Sequence, residues 1–285
     1  MESSTPNILN FLRFINWFYS NDRVTLNFNK YNKESTVKLP ILLITGGGRG
    51  IGAATAKLAA QHGYEVIINY RNDATSAENV VADIVASGGV AHCVQADVSN
   101  TDQVAKMFAT IRDTWGPISA LVNSAGVLDH QTRFVDTQPD RWQRIFQTNV
   151  FGTMQCCQEA FQDMAISRGG QGGTIVNVSS LASVYGSPNE YVDYAASKGA
   201  VDSFSKGFAL EVAGDGIRVN VVRPGLIYTD MHADGGEAGR VDRIGPNLPL
   251  QRGGQPEEVA EAILWLISDK SSYSTGGFID VGGGR

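Results

Sequence analysis

The chain has 285 residues, 42% hydrophobic and 18% charged, a balance that suits a globular protein with one sizeable core. A net charge of −6 offers no basic face for phosphates, so no nucleic-acid partner is expected. Cys93, Cys156 and Cys157 form no CxxC or Cys/His cluster, which points to reduced thiols in a cytoplasmic protein, with neither a disulfide framework nor a metal site.

Residues 1–39 stand apart as an atypical extension. They hold seven asparagines and no motif that carries chemistry. The apolar run at 8–19 is shorter than the roughly 18 residues that cross a bilayer and contains Arg13, and Glu2 sits where a signal peptide needs basic residues. No membrane association is expected. The segment reads as dispensable or, alternatively, as a partner-binding arm, and only 24–28 alternates like a short strand.

From residue 40 onward strands and helices alternate. Runs of β-branched and leucine residues predict strands at 41–44, 65–69, 90–95, 120–122, 174–178, 217–222 and 278–281. Helical patterns fall between them at 51–62, 76–86, 101–115, 141–164, 194–213 and 256–268. This order implies βαβ units and a single α/β domain over 40–285, with a doubly wound, mostly parallel Rossmann-type sheet covered by helices on both faces.

Between the first strand and first helix lies Thr45-Gly46-Gly47-Gly48-Arg49-Gly50-Ile51-Gly52. Glycines there permit a tight turn and let backbone N–H groups approach a pyrophosphate at the positive end of the helix dipole. A site for NAD would place a carboxylate at the end of the second strand. Here that stretch reads Asn69-Tyr70-Arg71-Asn72, with no carboxylate before Asp73. Arg49 and Arg71 are instead placed to flank a 2′-phosphate, so NADP(H) is the expected cofactor.

Tyr194 and Lys198 are four residues apart, on one face of a helix. A free phenol, with pKa about 10, is a weak base near neutrality; a neighbouring ammonium, together with the positive nicotinamide of an oxidised cofactor, stabilises phenolate and is expected to lower that value. Tyr185 and Tyr191 have no lysine at this spacing.

Taken together, these residues resemble the short-chain dehydrogenase/reductase family across nearly all of 41–285. The glycine signature stands as Gly46, Gly48, Gly50, Ile51 and Gly52. An aspartate that contacts adenine in relatives matches Asp97, followed by Val98. The family's NNAG segment appears as Asn123-Ser124-Ala125-Gly126, with serine replacing its second asparagine. Asn149 matches the tetrad asparagine and Ser180 the tetrad serine, although the spacing to Tyr194 keeps Ser179 as an alternative. Pro224-Gly225-Leu226-Ile227-Tyr228-Thr229 matches the segment that meets the carboxamide in relatives.

The resemblance implies interconversion of a carbonyl and an alcohol on a small molecule, with Tyr194 as acid/base and Ser180 bound to the substrate oxygen. Lys198 would hold the nicotinamide ribose, and Asn149 would position a water in a proton relay. It also implies a homo-oligomer, a tetramer or a dimer. Bacterial NADP-dependent 3-oxoacyl-carrier-protein reductases and glucose dehydrogenases share the pattern, which does not transfer either substrate. A non-catalytic NADP(H)-binding protein of the same fold is the alternative.

The Gly-rich, charged stretch 229–250 matches a mobile substrate flap in the family, or else a solvated loop. Tyr185, Glu190 and Tyr191 are candidates to line the pocket, and His232 reads as a packing residue. Arg133, Arg240 and Arg243 are candidates for a basic patch toward an acidic carrier protein. Phe204, Phe208, Leu210, Ile263, Leu264 and Leu266 are candidates for association surface or core.

Overall fold

The structure, a computed structural model, describes residues 38–285. The readings made for the extension therefore lie outside the described residues, apart from its last two positions. Seven parallel strands form one sheet: β1 (Ile41–Thr45), β2 (Glu65–Tyr70), β3 (Val90–Gln95), β4 (Ala120–Asn123), β5 (Gly173–Val178), β6 (Ile217–Pro224) and β7 (Phe278–Val281). Their order is β3-β2-β1-β4-β5-β6-β7. The expected doubly wound, single-domain fold is what the residues form.

Alternation along the strands divides the core in two. Leu42 and Ile44 of β1, Val66 and Ile68 of β2 and Val176 of β5 face one layer. Helices α1 (Gly50–Gln61), α2 (Ala74–Ala86) and α10 (Pro256–Ile267) cover it with Ala56, Ala59, Val80, Ile84, Val259 and Ile263. Ile41, Leu43, Ile67 and Ile175 face the other layer. Helices α3 (Thr101–Thr114), α5 (Thr153–Met164) and α7 (Val192–Val212) cover that side with Phe108, Ile111, Cys156, Cys157, Met164 and Val212. Both faces are thus dry, and so β1 is apolar up to Thr45, with every residue buried. Ile263, Leu264 and Leu266 are core, whereas Leu210 stands 67% exposed.

One element departs from its expected form. In place of one helix over 141–164, α4 (Pro139–Phe146) runs into a π-helical turn, Gln147–Gly152, before α5 begins. The turn contains Asn149, whose side chain bonds both backbone groups of Val127. A long-range bond that anchors one residue of the turn is the physical setting in which an extra residue per turn is tolerated.

Helix α1 packs so closely on the chain leaving β1 that a Cβ at Gly52 would stand 2.4 Å from the Gly46 carbonyl oxygen. Gly52→Ala is therefore expected to destabilise the fold by about 1–3 kcal/mol, the cost of overpacking a tight contact. A urea midpoint equal to wild type would refute it.

Candidate active site

The carboxyl ends of β1 and β4 lie side by side, with Thr45 in register with Asn123. The Thr45 hydroxyl accepts from the N–H groups of Ser124 and Ala125, at 3.2 Å each, and ties the two outgoing chains together. A long cleft opens there, at the switch point where ligands of open α/β sheets bind. One end is lined by Gly46, Gly48, Arg49, Gly50, Ile51, Asn69, Tyr70, Arg71, Asp97 and Val98. Ala125, Gly126, Ser180, Tyr194, Lys198, Pro224, Gly225, Ile227 and Thr229 continue it.

Gly46 takes φ +64°, and a Cβ there would meet the Ala125 backbone at 2.9 Å. Only glycine lets the turn close against the β4 loop. No side chain caps the N-terminus of α1, so its first N–H groups are left to a ligand. Asp73, the first carboxylate after β2, accepts from Ser76 N–H at 3.0 Å and from its hydroxyl at 2.6 Å. It is engaged as the cap of α2. Arg49 pairs at 2.7 Å with Asp234 of α8 (Met231–Asp234). This cradle of free helix N–H groups and glycine backbone fits a dinucleotide.

Three expected positions are not brought to the cleft lining. Gly52 acts as the packing contact described above. Asn123 is buried in the sheet, where its side-chain N–H donates to Asn177 of β5 at 2.9 Å. Asn149 is fully buried: its Oδ1 accepts from Val127 N–H at 2.8 Å, and its Nδ2 donates to Val127 C=O at 2.9 Å and to the Ser197 hydroxyl at 3.0 Å. Both Nδ2 hydrogens and one lone pair of Oδ1 are thus engaged, and the side chain holds the loop after β4 in place.

At the other end stand Ser180, Tyr194 and Lys198. The Lys198 ammonium lies 5.7 Å from the centre of the Tyr194 ring and donates to Val178 C=O at 2.8 Å. Ser179 donates its hydroxyl to Lys198 C=O at 3.2 Å, a contact with the backbone of α7. Ser180 is the serine that faces the phenol: its hydroxyl oxygen accepts from Ala182 N–H at 3.1 Å and acts on the ionisation of Tyr194.

The expected lowering of the Tyr194 pKa is not what the chain alone produces. Burial pushes the phenol up to about 12, against the pull of Ser180. Burial likewise draws Lys198 down to about 8, with Asp202 opposing. Desolvation outweighs the mutual influence of the pair.

The start of α7 is held by a contact that sequence reasoning missed. Arg141 of α4 forms a buried ion pair with Asp193, whose Oδ1 accepts from Tyr194 N–H at 2.9 Å. The partners are 52 positions apart, and no local pattern announces them.

The segment expected to be a charged flap is a paired network. Arg240, on α9 (Arg240–Ile244), is 3% exposed and grips Glu190 with both terminal nitrogens. Arg243 pairs with Glu237. Two of the three arginines considered for a basic patch, Arg240 and Arg243, are thus paired with carboxylates. Tyr185, Ser187, Tyr191, His232 and Arg285 line the cleft, and Glu190 does not, being held by Arg240. His232 packs with Nε2 at 3.0 Å from Ile227 C=O. Ser187 and Arg285 carried no sequence signal.

Residues 46–285 match the family model described as enoyl-(acyl carrier protein) reductase. The chain is a short-chain dehydrogenase/reductase. It is 56% identical over 247 residues to an uncharacterized oxidoreductase of Escherichia coli, YgfF, covering 87% of this chain and all of that protein. It is 38% identical to a 3-oxoacyl-[acyl-carrier-protein] reductase of Synechocystis, covering 86% of this chain and 96% of that one. A short-chain type dehydrogenase/reductase of Mycobacterium ulcerans superposes with TM-score 0.78 at 32% identity, over 86% of this chain and 89% of that one. It is therefore an oxidoreductase. Among the described residues no helix is long and apolar enough to cross a membrane, and no metal-ligating cluster occurs.

The lowered Lys198 has a thermodynamic signature. Between pH 8 and 10 the unfolded lysine, at 10.5, holds a proton that the folded one, at about 8, has released. Stability therefore rises with pH across that window. Urea midpoints at pH 8 and pH 10 are expected to show wild type gaining on Lys198→Met, and parallel curves would refute the desolvated ammonium.

Proposed function

We propose that this oxidoreductase interconverts a carbonyl and an alcohol on a small molecule using NADP(H), with Tyr194 as the general acid in reduction and the base in oxidation. The observation that carries the reading is the convergence of Ser180, Tyr194 and Lys198 at one end of the cleft whose other end is the glycine turn. The printed name of the Synechocystis relative makes a 3-oxoacyl group one candidate substrate.

The bound nicotinamide supplies or accepts the hydride. Ser180 donates a hydrogen bond to the substrate oxygen as charge develops on it, and Tyr194 delivers the proton to that same oxygen. Lys198, placed beneath the ring, stabilises the phenolate left behind and would hold the ribose hydroxyls. Asn149 acts as a positioning residue through Val127. Arg49 and Arg71 line the end of the cleft where a 2′-phosphate would lie, and Asp73, the first carboxylate after β2, is engaged as a helix cap.

The test is coenzyme oxidation over a panel of carbonyls. Tyr194→Phe is expected to lose about 10²–10⁴-fold in kcat while NADPH binding, followed by fluorescence, persists. Arg49→Ala with Arg71→Ala is expected to lose about tenfold or more in kcat/KM with NADPH and little with NADH. Equal turnover by Tyr194→Phe would sink its role, NADH parity in wild type the coenzyme preference. Tight NADPH binding with no turnover of any carbonyl would favour a non-catalytic protein.

We also place the protein in the cytoplasm as a homo-oligomer. Support for association comes from Phe151, 48% exposed in one surface groove with the stacked pair Phe204 and Phe208, whose rings are 5.4 Å apart. Residues 1–39 are taken as dispensable. A chain of residues 40–285 is expected to keep the wild-type kcat/KM and the dimeric or tetrameric mass by light scattering; loss of either would give the extension a role.

A further inference from the structure

The arginines around the substrate end of the cleft are not all paired. Arg240 is held bidentately by Glu190 and reaches Glu237, and Arg243 is held by Glu237. Arg285 is a third guanidinium here and stands outside that network. It lines the cleft, four residues past the end of β7, and has no ion pair among the described residues.

Its position is not arbitrary. The guanidinium carbon lies over the Tyr185 ring, 4.5 Å from the centroid. A cation above an aromatic face is held by the ring quadrupole without losing its N–H donors. Tyr185 lines the cleft and is near enough to Tyr194 to act on its ionisation, so the charge sits near the reacting centre. The field of Arg285 is felt by its neighbours: after burial and Arg240, it helps hold the His232 imidazole below its ordinary range, and it helps hold Glu190 low. Asp230 is the carboxylate on this part of the lining and directly follows Thr229; no ion pair joins it to Arg285.

We infer that Arg285 is a specificity-determining residue that receives an anionic group of the substrate, so that the preferred substrates are carbonyl compounds carrying a carboxylate or a phosphate at a distance from the reacting carbon. Guanidinium suits both anions because its N–H fork matches their paired oxygens. The inference rests on the carbonyl–alcohol reading above and narrows its substrate class.

The experiment compares kcat/KM for acetoacetate, levulinate and 5-oxohexanoate, each beside its amide, and for hydroxyacetone phosphate beside hydroxyacetone. The oxo-acid series samples the unknown reach, and the phosphate pair distinguishes the two anions. Wild type is expected to favour at least one anion over its neutral partner by about tenfold or more, mostly through KM. In Arg285→Gln that ratio is expected to fall toward one, and Arg285→Lys to restore part of it. Turnover of the neutral ketones with no anion preference, or a preference that survives Arg285→Gln, overturns the anion site and leaves the oxidoreductase reading standing. A raised KM for NADPH in Arg285→Gln with an unchanged anion ratio makes the residue a coenzyme contact and also overturns it. Failure of every carbonyl, charged or neutral, is the failure of the parent reading.

Discussion

The cleft depends on the adjacency of β1 and β4. Because they are neighbours in a parallel sheet, their outgoing chains leave side by side, one toward α1 and the other along the loop 124–128. The Thr45 hydroxyl fastens these two exits by accepting from two successive N–H groups. The close fit of Gly46 against Ala125 and the grip of Asn149 on Val127 complete the same joint. A shift of β4 relative to β1 would therefore move the floor of the cleft and the glycine turn together.

The chemistry end is built on a different economy. Lys198 is buried with a backbone carbonyl as its hydrogen-bond acceptor, and the Tyr194 phenol is buried beside Ser180. Keeping an ammonium away from water without a contacting carboxylate is unfavourable, and the lowered lysine pKa is the measure of it. Such a site is poised for negative charge to arrive, since donors already oriented in a dry place need no reorganisation when it does.

Much of this was legible in the sequence because it is local. β-Branched runs marked the strands, and the Tyr194/Lys198 spacing marked one helical face. The glycine run marked a turn, and ordered family matches turned a common spacing into a specific one. What was not legible is set by distant partners. The weak helix formers of 147–152 do not by themselves announce a π turn, which is anchored by a bond to Val127, 22 positions away. Arg240 looks like a solvated flap residue until Glu190, 50 positions earlier, is placed against it. The ionisation of Tyr194 escaped because burial sums over the whole surrounding fold, whereas the lysine was the one neighbour the spacing revealed. Asn123 and Asn149 were singled out by the family match, while the bonds their amides make to Asn177 and Val127 had no local signal.

The π turn also has a geometric meaning for the helix that follows it. One residue is worth about 100° of rotation about a helix axis. Cys156, Cys157, Ala160 and Met164 all face the sheet from α5, and their phase is set by the residue count through 147–152. The turn works as an angular offset: upstream, α4 presents Arg141 to the start of α7, while downstream, α5 presents its small apolar face to β4 and β5. Two surfaces with incompatible helical phases are thereby carried on one nearly continuous rod. Were the same residues wound as a regular α-helix, α5 would turn by about 100° and face the core with the wrong side.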